Sequence, residues 1–128
     1  MASSSRAFVL RNTRLRPVPG LEEIRLHLAD EVLPLWHAAE LQTGDSDAAL
    51  PYWAFAWSGG LAIGRYLRDL PDAVAGRRVF DLASGSGLCA IAAMRAGAQG
   101  VLLSRTYTEM KIENLAGCGI AMRELGLV

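Results

Sequence analysis

Apolar and small residues in the second half of the chain follow a pattern that predicts a strand, a helix and a second strand. The apolar run 79–82 is interrupted by Asp81 and leads into a turn of small residues. An alanine-rich segment, 88–96, predicts a helix that stops at Gly97, because a helix end favours a residue with left-handed backbone. The next apolar run, 100–104, predicts a parallel strand. Together these segments predict a right-handed βαβ unit.

The rest of the pattern predicts helices. Apolar residues near helical spacing between 21 and 41 predict one helix, which Pro34 should kink or divide. An amphipathic helix is predicted over 60–70. Beyond the second strand, further helical segments are predicted over 108–115 and 121–125. The fold class is therefore predicted to be α/β, with a βαβ core of parallel strands and N-terminal helices.

Composition limits the class of protein. Of the 128 residues, 52% are hydrophobic and 20% are charged, and the formal net charge is +0, which indicates one globular domain. A balanced charge gives no general attraction to nucleic acid or to a membrane surface, so neither is expected as a partner. No apolar run approaches the roughly 20 residues that span a bilayer. Cys89 and Cys118 lack metal-ligand spacing, so we expect no metal site and two thiols in a reducing compartment.

The N-terminal segment allows two interpretations. Residues 1–7 are expected to be flexible. Four arginines precede the first acidic residue, Glu22, which suits an organellar transit peptide and leaves a mitochondrial location open. The apolar residues 8–10 and the proline-containing segment 12–19 indicate instead a packed entry to the domain. The expected location is therefore the cytoplasm, with the mitochondrion as the alternative.

The turn after the first predicted strand carries the candidate chemistry. Glycines let a ligand approach the backbone, and the first N–H groups of the following helix point outward, so this turn suits part of a nucleotide-like cofactor. Gly85, Gly87 and Ala90 fit the dinucleotide pattern G-x-G-x-x-G/A. Asp81, Ala83, Gly85 and Gly87 resemble instead motif I of the class I S-adenosylmethionine-dependent methyltransferases, (D/E)-x-G-x-G-x-G, with Ala in place of one Gly. A carboxylate within the strand favours this second pattern, because a dinucleotide fold has no need to bury that charge.

A second informative stretch, 51–60, holds four aromatic residues within a chain that is 7% aromatic, and it ends in Ser-Gly-Gly before a helix. One interpretation is packing in the core. The other is a wall of the cofactor site, where an aromatic face lies beside a sulfonium cation or an adenine. Considered alone, the stretch favours core packing.

Several stretches in the same order resemble one methyltransferase branch, at 12–15, 17–19, 23–29, 52–60 and 76–87. That branch comprises the seven-strand lysine methyltransferases of the electron-transfer-flavoprotein β-subunit type, with bacterial relatives often labelled nicotinamide N-methyltransferase-like. The resemblance implies a partial Rossmann-like methyltransferase fold, S-adenosylmethionine as cofactor and methyl transfer to a lysine amine of a protein. The residues that it places at the cofactor are Trp53, Trp57, Gly59, Asp81, Ala83, Gly85 and Gly87.

From about residue 102 the sequence departs from that branch. Where the family has an acid that binds the ribose hydroxyls, residues 103–107 contain none, and Arg105 would suit the 2′-phosphate of NADP, so an NADP-binding module is an alternative. The substrate-side strands of the family are missing. We therefore expect one truncated domain over 1–128, with a helical and aromatic segment over 8–70 and a cofactor-binding unit over 77–128.

No catalytic residue is assigned, because the family's substrate-side motif is missing from the sequence. A methyltransferase is the expected function. The alternative is a non-catalytic remnant that binds the cofactor weakly or associates through an uncovered edge of its sheet.

Overall fold

The computed structural model describes residues 2–44, 51–82 and 84–103. The predicted helical segments 108–115 and 121–125, and the rest of the predicted cofactor-binding unit beyond 103, lie outside the described residues. In chain order the helices and strands are α1 (Ala2–Asn12), β1 (Arg14–Val18), β2 (Leu21–Leu28), α2 (Val32–Thr43), α3 (Ser58–Asp69), β3 (Arg78–Asp81), α4 (Leu88–Arg95) and β4 (Gly100–Leu103). Short 3-10 helices, Tyr52–Ala54 and Pro71–Ala73, lie before and after α3.

The predicted βαβ unit is confirmed. β3 and β4 pair in parallel, with Val79 opposite Val101 and Asp81 opposite Leu103. α4 connects the two strands, and Gly97, with φ 92°, follows its last turn as the sequence predicts. The α/β class and the parallel arrangement therefore agree with the expected partial Rossmann-like fold.

The prediction of one helix over 21–41 is wrong in its first half. Leu21–Leu28 forms β2, which pairs antiparallel with β1 after a turn at Pro19 and Gly20. Gly20 has φ 86°, and its N–H donates a hydrogen bond to Oε1 of Glu22 at 2.9 Å. A Pro-Gly turn supplies the positive φ that reverses the chain, so this segment begins as a hairpin.

The apolar residues of β2 fit two periods at once. Leu21, Ile24 and Leu28 match helical spacing, whereas Ile24, Leu26 and Leu28 alternate, and all four side chains are buried. Because the segment pairs with β1, it follows the alternating period and forms a strand. Pro34 does not kink a helix either: it lies in the first turn of α2, where its missing N–H would have no helical partner.

Gly64 determines how closely α3 approaches its neighbours. A Cβ atom at this position would lie 2.5 Å from Cδ1 of Leu21 and 3.7 Å from Cβ of Ala92. The missing side chain therefore lets α3 pack against both β2 and α4, which places α3 beside the βαβ unit.

Two hydrophobic clusters hold the described elements together. The larger cluster joins β2, α3 and α4, and its buried members are Val18, Leu21, Ile24, Leu26, Leu28, Leu67, Leu88, Ile91, Ala92, Ala93 and Ala98. The smaller cluster joins α1, α2 and the aromatic segment through Phe8, Val9, Leu35, Trp53 and Ala54.

The N-terminal helix is part of the packed structure. Phe8 and Val9 are buried, which supports the interpretation of 8–10 as a packed entry to the domain. Residues 2–7 form the first turns of α1, and their flexibility stays a prediction. The hydroxyl of Thr13 donates to the carbonyl oxygen of Val9 at 2.7 Å and lies 3.4 Å from Nδ1 of His27, so it ties α1 to β2.

Candidate cofactor site

The candidate site is the turn between β3 and α4. The N–H of Gly87 donates to the carbonyl oxygen of Ser84 at 2.8 Å, which closes the turn. Gly85 has φ 50° and Gly87 has φ 85°, a left-handed backbone that favours glycine at both positions. The backbone conformation of the turn therefore favours glycine at both motif positions, in addition to the close approach that glycine allows a ligand.

Gly87 also leaves space where a ligand could approach. It is the N-cap residue of α4, and a Cβ atom built there meets no atom within 4 Å. The first N–H groups of α4 begin at this position, and such groups bind acceptor atoms of a ligand at a helix N-terminus. The turn thus combines open space with the backbone donors of a helix start.

Asp81 ends β3 and places a carboxylate beside this turn. Its Oδ2 atom is shielded from solvent, while the residue as a whole is half-buried. Burial, together with the nearby charge of Asp81, raises the pKa of the Cys89 thiol to about 11, so this thiol is neutral at physiological pH. The end of the strand therefore places a carboxylate within electrostatic reach of the first turn of α4.

α3 begins next to the start of α4. The Cys89 thiol donates a long hydrogen bond, 3.8 Å, to the carbonyl oxygen of Gly60. A Cβ atom at Gly60 would lie 3.6 Å from Cδ2 of Leu88 and 3.7 Å from the Cys89 sulfur. Gly59, exposed in the same first turn of α3, meets nothing within 4 Å of a Cβ atom. The end of the aromatic segment, 51–60, therefore lies at the edge of the turn between β3 and α4.

The aromatic segment divides into two environments. Trp53 is 6% exposed and contacts Phe8 edge-on, with ring centroids 6.5 Å apart. Trp57 is 48% exposed, and its Nε1–H donates to the carbonyl oxygen of Tyr52 at 2.8 Å. The rings of Tyr52 and Phe55 each lie 5.7 Å from that of Trp57. Trp57 thus belongs to an exposed aromatic group directly before α3, whereas Trp53 belongs to the core.

The structure brings some of the predicted site residues together at this turn and places others elsewhere. Gly85 and Gly87 lie in the turn between β3 and α4, and Asp81 adjoins it at the end of β3. Trp57 and Gly59 belong to the segment that reaches the edge of this turn. Burial of Trp53 favours core packing for that residue, so its contact with a cofactor stays a prediction without structural support. The site residue Ala83 lies outside the described residues, as does Arg105, on which the NADP alternative depends.

Cys89 and Gly60, which form the contact between the two helix starts, are functional-site residues that the sequence motifs do not single out. Their positions in the sequence could have indicated them, because each lies in the first turn of a helix that follows a glycine-rich or aromatic motif. Over the described ranges, no group of three or more His, Cys, Asp or Glu side chains has metal-binding geometry. Within the same ranges no helix combines the length and apolar character needed to cross a membrane.

Sequence comparison identifies relatives of one kind. The chain is 41% identical over 101 residues to the electron transfer flavoprotein beta subunit lysine methyltransferase of Xenopus laevis, covering 79% of this chain and 40% of that protein. It is 38% identical over 118 residues to the Homo sapiens protein of the same name, covering 91% of this chain and 42% of that protein. A Caenorhabditis elegans homolog is 33% identical over 96 residues, 74% of this chain and 38% of that protein. No protein-family model matches the chain.

The strand, the glycine turn and the helix N-terminus, taken with these relatives, resemble the corresponding part of the class I S-adenosylmethionine-dependent methyltransferases. Within that class the chain resembles the electron transfer flavoprotein beta subunit lysine methyltransferases, which confirms the resemblance inferred from its motifs. The chain spans about two fifths of the length of the curated relatives that it matches, 40% and 42% for the first two.

Proposed function

We propose that this chain binds S-adenosylmethionine at the turn between β3 and α4 and contributes this site to methyl transfer onto a lysine amine of a protein. The observation that carries the proposal is the meeting of three features at one place. These are the Asp81 carboxylate at the end of β3, the left-handed glycines before α4, and the first turn of α3 against Cys89.

The residues of the site suit different parts of this cofactor. Asp81 would hold the cationic amino-acid end, because an anion at the end of a strand attracts it. Gly85 and Gly87 would let the cofactor approach the backbone closely, and Trp57 would offer an aromatic face to the sulfonium or the adenine. When bound, the cofactor supplies an electrophilic methyl group, whose bond to sulfur breaks as a bond to the lysine nitrogen forms.

The acceptor amine must lose its proton before it can attack, because an ammonium has no lone pair. No residue is proposed as the base, since none of the described residues is placed against an acceptor. What this chain contributes is positioning of the cofactor. The protein substrate is proposed from the relatives, whose names specify a lysine of the electron transfer flavoprotein β subunit.

Isothermal titration of the purified chain with S-adenosylmethionine tests the proposed site, with NADPH titrated in parallel. We expect saturable binding of S-adenosylmethionine that is abolished in Gly85→Arg, since a long cationic side chain would occupy the turn. A folded chain that binds neither compound would contradict the proposal. Binding of NADPH alone would favour the dinucleotide pattern, which the burial of Ala90 at the third motif position also fits.

Methyl transfer separates an enzyme from a non-catalytic remnant. The chain is incubated with S-adenosylmethionine and the electron transfer flavoprotein β subunit, and lysine methylation is measured by mass spectrometry. Methylation that Gly85→Arg removes would support the enzyme. Cofactor binding without methylation would favour the remnant.

We also propose a cytoplasmic location, with the mitochondrion as the alternative. The support is that the arginine-rich segment belongs to the folded part: Arg16 pairs with Asp30 at 2.8 Å, and α1 buries Phe8 and Val9. Removal of this segment as a transit peptide would take Phe8 and Val9 away and uncover Leu35 and Trp53, their partners in the smaller cluster. Sequencing the N-terminus of the protein isolated from cells, together with imaging of a tagged chain, decides between the two locations.

A further inference from the structure

Trp57 is held at both its ring and its backbone, although the residue is 48% exposed. The indole Nε1–H donates a hydrogen bond to the carbonyl oxygen of Tyr52 at 2.8 Å. The carbonyl oxygen of Trp57 accepts the N–H of Leu61 at 2.9 Å, where α3 begins. An exposed side chain ordinarily turns between rotamers within nanoseconds. The hydrogen bond from the ring opposes such turning here.

The rings of Tyr52 and Phe55 restrict the same indole. The Tyr52 ring centroid lies 5.7 Å from that of Trp57, with 53° between the two planes. The Phe55 ring centroid also lies 5.7 Å from it, with 57° between the planes. Tilted pairs at this distance are favourable arrangements of aromatic side chains. Two such neighbours, together with the hydrogen bond, therefore limit the orientations that the indole can adopt.

The segment that holds the indole is itself fixed by the smaller hydrophobic cluster. Tyr52 begins a short 3-10 helix whose middle residue, Trp53, is buried in that cluster. The carbonyl oxygen of Ala54 accepts the N–H of Ala29 at 3.0 Å, which joins this helix to the residue after β2. Phe55 is partly buried against the same cluster. The groups that contact the indole are therefore fixed in place by the fold.

A restrained side chain favours binding, because ordering it on contact with a ligand costs affinity. Immobilising one flexible side chain weakens binding by about two- to tenfold. We propose that Tyr52 and Phe55 are positioning residues for Trp57, which hold its indole ring in the orientation that receives S-adenosylmethionine before the cofactor binds. This inference rests on the proposed function, in which Trp57 offers its aromatic face to the cofactor.

Calorimetric titration of S-adenosylmethionine into the full chain tests the proposal in a double-mutant cycle. Tyr52→Leu and Phe55→Leu should each weaken binding about two- to tenfold, because the indole must then be ordered on binding. In a Trp57→Ala chain the same two substitutions should change the affinity less than about twofold, because they act through the indole. Tyr52→Phe keeps the ring and should keep the affinity. Tyr66→Leu, which removes a ring of similar exposure (55%) from α3, is the matched control.

Fluorescence anisotropy decay measures the restraint on the indole without any cofactor. The sequence holds three tryptophans, so a chain with Trp36→Phe and Trp53→Phe reports on Trp57 alone. We expect little nanosecond motion of the indole in this chain, and more in the same chain with Tyr52→Leu or Phe55→Leu. Far-UV circular dichroism with a melting curve checks that each variant is folded.

Each measurement can overturn the proposal. Equal motion of the indole with and without the Tyr52 and Phe55 rings overturns it. Losses of affinity that persist in the Trp57→Ala chain, or that Tyr66→Leu reproduces, also overturn it, since the rings would then act directly or through general stability. Unchanged affinity in Tyr52→Leu and Phe55→Leu overturns this inference alone. A folded chain that binds no S-adenosylmethionine contradicts the proposed function and this inference together.

Discussion

The sulfur of Cys89 lies 3.8 Å from the carbonyl oxygen of Gly60 and joins the first turn of α4 to the first turn of α3. These residues are 29 positions apart, and each follows a motif that the sequence singled out. The contact brings the glycine turn and the end of the aromatic segment to one place. A cofactor bound at the turn would therefore lie within reach of groups from both motifs.

The positive φ of Gly87 leads to a prediction about cofactor binding. Gly87→Ala should destabilise the fold by about 1–2 kcal/mol, because an L-residue is strained at this left-handed backbone, and it should also weaken binding of S-adenosylmethionine. Gly76→Ala is the control: Gly76 also has a positive φ, 69°, and also meets no atom within 4 Å, but it lies in the turn before β3. Calorimetric titration and urea unfolding of both variants measure the two effects. Equal loss of binding in both would mean that strain, and not the site, controls affinity.

Trp53 and Trp57 should respond differently to truncation. Trp53→Ala removes a buried side chain from the smaller cluster and should lower the free energy of unfolding by about 3–5 kcal/mol. Trp57→Ala removes a half-exposed side chain and should cost about 1 kcal/mol or less. If Trp57 faces the sulfonium or adenine, its loss should weaken binding of S-adenosylmethionine about two- to thirtyfold. Urea unfolding and calorimetry are the measurements, and unchanged affinity in Trp57→Ala would exclude this residue from the site.

Gly64 and Gly60, both in α3, should give opposite results when replaced by alanine. At Gly64 the new Cβ would clash with the fully buried Leu21, so Gly64→Ala should destabilise the chain by about 1–3 kcal/mol. At Gly60 the new atom would make ordinary contacts with Leu88 and Cys89, so the higher helix propensity of alanine should stabilise by up to about 1 kcal/mol. Thermal and urea unfolding compare the two. A destabilised Gly60→Ala variant would mean that the starts of α3 and α4 are closer than the structure places them.

The Cys89 thiol gives a prediction about pH. Burial first, and then the charge of Asp81, raise its pKa from an ordinary 9.0 to about 11. In a Cys118→Ser chain, alkylation of Cys89 by iodoacetamide should be slow at pH 7.5, and the rate should keep rising to about pH 11, because the thiolate is the reacting form. In the unfolded chain the rise should level off near pH 9.

The same shift links pH to stability. The raised pKa means that the folded chain retains this proton more tightly than the unfolded chain, so its contribution to stability is complete below pH 9 and is lost as pH rises from 9 to about 11. Asp81→Asn removes the second cause and should lower the pKa of Cys89 part of the way towards 9. A Cys89 pKa near 9 in the folded chain, or no effect of Asp81→Asn, would mean that the thiol is not buried beside this carboxylate.

The comparison between sequence and structure is clearest at β2 and at the two tryptophans. The leucines and the isoleucine of β2 fit a helix and a strand equally well, and the choice depends on pairing with β1 and on the turn at Gly20. Trp53 and Trp57 lie four positions apart in one aromatic stretch, yet one packs against Phe8 and the other is half exposed. The turn at Pro19 and Gly20 is a local signal that the helical period does not take into account, whereas the burial of Trp53 depends on Phe8 in a distant part of the chain.

Local sequence was sufficient to predict the βαβ unit, the glycine turn with Asp81 at the end of its strand, and the resemblance to class I methyltransferases. These follow from short-range causes: glycines with left-handed backbone, an alanine-rich helix and apolar strands adjacent in the chain. Tertiary structure decided the hairpin of β1 and β2, the separation of the tryptophans, and the contact between the starts of α3 and α4. Those features depend on burial and pairing between residues distant in sequence, whose energies exceed the small differences in local propensity.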